Sequence, residues 1–164
     1  MCSYAFFALT AWCSNEINIL LSAKKLFPGL IRMLGHPDIQ ISLTILKSIN
    51  NIVYSGTETT QMAEQHPLYD EIQSCDGIES IFTLFQQNRD PSTKDRAAIC
   101  IGRLFRTREI TDPIMRNEII NHLKSLVNDL ADWIKVESRK ALINLSQNTV
   151  NMAEIERDGF IFPE

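Results

Sequence analysis

The chain has 164 residues, 45% hydrophobic and 22% charged, with a net charge of −4. That length supports one domain with a proper core, and the composition excludes wholesale disorder. The acidic balance argues against duplex nucleic acid; four cysteines without a CxxC pair and three dispersed histidines argue against a metal site, so reduced, buried thiols and no cofactor are expected.

In chain order, "MCSYAFFALTAWCS" (1–14) is apolar. It has no Lys or Arg ahead of the apolar run, no small-residue cleavage site and too few residues to span a bilayer, so neither a signal peptide nor an anchor is expected. "LFPGLIRML" (26–34) reads as a short helix entered through Pro28 and Gly29. In 35–56, Ile41, Ile45, Ile49 and Ile52 recur at helical spacing, with Leu46 and Val53 widening the stripe. Pro37 and Asp38 are expected to start this helix and Gly56 to stop it. Its one charge, Lys47, and its amide pair, Asn50 and Asn51, stand out against an oily background.

Residues 57–75 are polar and predict two short helices broken at His66–Pro67. The stretch 76–105 then repeats the short-helix, long-helix order. Its turn is at Arg89–Ser92, Ser92 and Asp95 form the expected cap, and Ala97, Cys100, Ile101, Leu104 and Phe105 form the stripe. Residues 119–146 repeat it again, with Asp132 at the turn and Ile134, Ala141, Leu142 and Leu145 as the stripe. The one Asp-Gly pair, at 76–77, opens a helix instead of a hairpin, so the fold class is all-α.

Asn51, Arg103 and Asn144 take equivalent places in the three long helices, 52 and 41 residues apart, and the excess in the first interval falls in the 57–75 connection. Helical periods near 40 mean stacked repeats. The stretch "KLFPGLIRMLGHPDIQISLTILKSINNI" (25–52) resembles the armadillo pattern "GxIPxLVxLLxSPDxxVQxxAxWALxNL". The segments "DGIESIFTLF", "DRAAICIGRL", "RKALINLS" and "ERDGFIFP" are similar to its other parts, and "ALTAWCSN" is similar to the end of its third helix. The resemblance implies a right-handed α-solenoid of about three to four stacked repeats, incomplete at both ends. Its boundaries are 1–15 (end of a repeat), 16–56, 57–108, 109–147 and 148–164 (start of a further one). Either a piece of a longer array or an array that pairs at its ends is expected.

In armadillo proteins the third helices line a concave groove, where an asparagine commonly hydrogen-bonds the backbone of an extended peptide. By that resemblance the rungs are Thr44, Lys47 and Asn51; Arg96, Ile99 and Arg103; and Glu137, Lys140 and Asn144. Lys47, Asn51, Arg96, Arg103, Lys140 and Asn144 are thus the candidate peptide-binding residues. In importin alpha, a tryptophan four residues before the asparagine stacks on lysines of the cargo; Lys47, Ile99 and Lys140 stand there instead, which disfavours basic cargo. The three long helices, taken as 39–55, 93–108 and 133–147, carry nine basic side chains against two acidic ones. A basic inner layer would draw in an acidic or phosphorylated segment, similar to the way beta-catenin holds its partners.

The leading function is therefore a non-catalytic protein–protein scaffold, cytoplasmic or nuclear, with no nucleic-acid or membrane partner. One alternative is assembly through uncapped ends, with self-association; another is a degenerate importin-alpha-like adaptor. Catalysis has weak support: the glycines are scattered, and "HPLYDE" (66–71) gathers His66, Tyr69, Asp70 and Glu71 in a polar connection without an implied pocket. Puf-type RNA binding lacks base-stacking aromatics on the inferred face. Trp12 and Trp133 are expected to be packing residues.

Overall fold

The computed structural model describes residues 2–87 and 90–162, and every regular element among them is an α-helix. The helices are α1 (Cys2–Trp12), α2 (Asn15–Ser22), α3 (Phe27–Leu34), α4 (Ile39–Glu58), α5 (Tyr69–Gln73), α6 (Gly77–Gln87), α7 (Pro91–Leu104), α8 (Pro113–Leu126), α9 (Asp132–Leu145) and α10 (Thr149–Glu156).

Local chemistry sets most starts. Asp38 caps α4 by accepting the Gln40 N–H at 2.8 Å, as its position before the apolar stripe predicts. Asp112 caps α8 by accepting from Ile114 and Met115, with Pro113 in the first turn. The expected Ser92 cap is corrected: Asp90 caps α7 by accepting the Thr93 N–H at 3.0 Å, and Pro91 follows as the first helical residue. A proline fits there because its missing N–H would be unpaired anyway, which places Ser92 inside the first turn.

Two further expectations change. Gly56 does not stop α4, which runs to Glu58; it is buried where a Cβ would stand 2.9 Å from His66 Cε1. Its smallness admits the returning connection. That connection forms turns up to Leu68 and a single short helix, α5, instead of two. The turn expected at Arg89–Ser92 lies partly outside the described residues.

The helices pack in consecutive pairs: the shorter α3 on α4 and α6 on α7, and α8 on α9, which is of equal length because α8 starts at Pro113, ahead of the expected start of that stretch at 119. The long helices are also neighbours in sequence order, with α1 against α4, α4 against α7, and α7 against α9. A continuous apolar core runs from Phe27 through Ile49, Ile52, Ile101 and Leu104 to Leu142, Leu145 and Ile155. Close approach of α7 to α9 depends on Gly102, where a Cβ would lie 2.8 Å from that of Ala141. The turns ahead of α3 and α6 share a device: Lys25 and Asp76 both have positive φ, 56° and 57°.

Cys100 is buried, whereas Cys13 and Cys75 are half-exposed, so the expectation of buried thiols holds for part of the set. Trp12 is 89% exposed and is not a packing residue. Among the described residues, no helix is long and apolar enough to cross a membrane, and no group of three or more His, Cys, Asp or Glu could hold a metal.

Candidate peptide-binding site

Residues three and four apart on a helix share a face, so one face each of α4, α7 and α9 can converge. They do so at a cleft of about 210 Å³ lined by Asn50, Asn51 and Tyr54 of α4, Arg96, Ile99 and Arg103 of α7, and Trp133 and Glu137 of α9. Arg103 is its keystone. The guanidinium donates to Asn50 Oδ1 at 3.5 Å, pairs with Glu137 and lies 5.1 Å from the Tyr54 ring centre, touching all three helices. Burial lowers its pKa to about 10, so the cation persists at neutral pH. Glu137 also holds Lys140 at 3.5 Å, and Lys140 Nζ lies 5.7 Å from the Tyr54 ring centre.

Arg96 is built differently. Its guanidinium stacks on Trp133 at 4.3 Å, and Nε donates to Ser92 Oγ at 3.4 Å. Burial depresses its pKa, partly offset by Asp95. Asn50 donates through Nδ2 to the Leu46 and Arg96 carbonyls, each at 3.2 Å, and accepts from Arg103. This amide is therefore a tie between helices. Asn51 donates to Thr10 Oγ1 at 3.3 Å and remains half-exposed, so the rest of its amide faces the cleft.

Of the six candidate residues, Asn51, Arg96 and Arg103 line one cleft, and Lys140 joins its rim through Glu137. Lys47 flanks it toward α1, with Nζ 5.8 Å from the Phe7 ring centre. Desolvation lowers the Lys47 pKa first, then the neighbouring Arg96 charge, against a smaller opposite effect of Asp90. Asn144 does not line the cleft: it is 1% exposed, and its Oδ1 is buried without a hydrogen-bond partner among the described residues. Thr44 is also buried, its hydroxyl donating to the Gln40 carbonyl at 2.6 Å.

The charge layer is thinner than a count along the long helices implies. Arg106 is fully buried against 57–64, Arg108 pairs with Asp70, Lys135 with Asp132, Lys94 sits over Phe85, and Arg139 donates to the Val127 carbonyl. Arg96 and Arg103 remain in the cleft lining, Lys47 and Lys140 flank it, and Glu137 pairs with Arg103 and Lys140. Three lining residues were not among the candidate binding residues: Asn50, noted only as half of the amide pair, Trp133, expected to be packing, and Tyr54. Tyr54 stands three residues after Asn51 and Trp133 four before Glu137, so helical spacing carried the signal for both.

The His66 cluster has no free ring nitrogen. Nε2–H donates to the Val53 carbonyl at 2.9 Å and Nδ1 accepts the Leu68 N–H at 3.2 Å, while Tyr69 packs edge-on to Phe105 and Asp70 pairs with Arg108. A scan against protein-family models finds no match, and a search of curated proteins finds no relative.

Proposed function

We propose that the chain is an armadillo-type α-solenoid that acts as a non-catalytic interaction scaffold in the cytoplasm or nucleus, holding an extended, acidic or phosphorylated peptide segment across the α4–α7–α9 face. Recurrence supports the architecture: three consecutive helix pairs, their second helices α4, α7 and α9 packed in a row, and a left-handed residue ahead of both α3 and α6. The observation that carries the function is the convergence of Asn51, Arg96 and Arg103 from two helices on a cleft closed by Trp133 and Glu137 of a third. An amide there pairs with a peptide backbone, and the flanking cations favour acidic side chains. Trp133 already stacks with Arg96, which leaves a poor seat for a cargo lysine and counts against the importin-like alternative.

The test is a peptide array of acidic, neutral and basic extended sequences probed at low and high salt. Capture of acidic peptides that weakens with salt, and falls at least about tenfold in Lys47→Glu/Arg96→Glu, is expected. Undiminished capture by a folded double variant would remove the charge reading. A second reading, association through the end helices, is favoured by Trp12 and Leu20, which are 89% and 66% exposed.

A further inference from the structure

We infer that Arg96 by itself seats one carboxylate of the bound segment, an aspartate or glutamate side chain, in preference to a phosphomonoester; the inference rests on the groove reading above. The cations of this face differ in what already engages them. Arg103 is tied inside the protein, to Asn50 Oδ1 at 3.5 Å and to Glu137. Lys140 shares that Glu137 at 3.5 Å, and Lys47 lies toward Phe7, outside the lining. Arg96 lines the cleft and makes no ion pair among the described residues. Its sequence neighbour Asp95 is buried and held by His122 Nε2 of α8 at 2.8 Å.

Arg96 is also anchored from two helices. The guanidinium carbon lies 4.3 Å from the ring centre of Trp133 on α9, and Nε donates to Ser92 Oγ, one turn back on α7, at 3.4 Å. The terminal nitrogens keep their donors without a protein acceptor among the described residues, a planar fork that a carboxylate meets with two parallel hydrogen bonds. Charge selects the anion. Arg96 and Arg103 against Glu137 leave the lining with a single net positive charge. One carboxylate neutralises it. A phosphomonoester, with about −1.5 to −2 charges at neutral pH, would bring surplus negative charge into the cleft that holds Glu137. At about 210 Å³ the cleft is smaller than the roughly 300–1,000 Å³ of small-molecule sites, so it suits one side chain of a longer ligand.

The test uses the full chain and three otherwise identical degenerate peptide libraries, with glutamine, glutamate or phosphoserine fixed at the centre. Glutamate capture at least about tenfold above glutamine, and above phosphoserine, is expected, with the preference lost in Arg96→Gln and kept in Lys140→Gln. Arg96→Lys keeps the charge without the fork and is expected to lose most of the preference, which guards against a folding artefact in the glutamine variant. Full preference in Arg96→Lys, equal loss in Lys140→Gln, or phosphoserine capture at or above glutamate overturns the single-carboxylate seat and leaves the groove standing. So does equal capture of all three libraries that is abolished by Asn51→Trp, which fills the cleft from a half-exposed position. Capture that Asn51→Trp leaves intact, or capture of none, overturns both.

Discussion

His66 owes its acid sensitivity to having both ring nitrogens engaged in a buried site. Burial is the leading cause that lowers its pKa from 6.5 to about 4, opposed by the Val53 hydrogen bond and reinforced by Arg106 and Arg103. The unfolded chain takes up this proton near pH 6.5, whereas the folded chain resists until about pH 4. Stability from this group is therefore complete above pH 6.5 and is lost as pH falls toward 4, by about 3 kcal/mol in all. Urea midpoints at pH 7.5 and 4.5 check this, with a smaller pH loss expected in His66→Gln; parallel losses in both proteins would refute it. Arg103 makes the complementary case. Arg103→Ala would leave Asn50 Oδ1 without its donor and Glu137 with Lys140 alone, and is expected to cost about 3 kcal/mol, with most of it recovered in Arg103→Met/Glu137→Leu. Denaturation of the single and double variants measures the difference. At this scale the residues themselves pointed to a polar pair in an oily helix, and only the family resemblance chose Asn51 over Asn50. A step of one residue turns a side chain by about 100° around the helix, which separates an internal tie from an open amide.

Helix positions were largely readable, because stripe period and caps are local. The joints were less so. Gly102 looks like a weak point in α7, yet it is where α7 and α9 meet. Gly102→Ala, favourable by helix propensity alone, is expected to destabilise by about 1–3 kcal/mol through overpacking against Ala141. Thermal unfolding tests the sign, and Ala141→Gly is expected to relieve the effect. The 57–68 connection is held by Arg106, which donates to the Glu64 and Thr57 carbonyls at 2.9 and 3.2 Å and to the Thr60 hydroxyl. Arg106→Met is expected to free this strap and speed cleavage after Glu64 by a glutamate-specific protease, while α4 and α7 remain helical by circular dichroism. Unchanged cleavage would show that His66 alone holds the segment. Neither contact is visible from spacing, since each joins residues more than 35 positions apart.

Over the whole molecule, stacking leaves apolar surface at α1 and α2, where Tyr4, Leu9, Trp12 and Leu20 are exposed. The assembly reading predicts a mass above 18.7 kDa that rises with concentration and returns to monomer in Trp12→Glu/Leu20→Glu. Sedimentation over about a hundredfold concentration range measures it; a constant monomer leaves the groove reading by itself.

The sequence alone determined the all-helical character, the positions of α4, α7 and α9, the Asp38 start and most of the buried stripe, because hydrophobic period and capping chemistry act within a few residues. Tertiary structure alone decided that Asn144 is buried, that Trp133 clamps Arg96, and that Arg106 and Arg108 face the connection and not the groove. These outcomes depend on how neighbouring helices rotate and approach, which small residues such as Gly102 and long-range hydrogen bonds control. A helix carries its own period, but only its neighbours select which polar residues become floor, tie or open ligand.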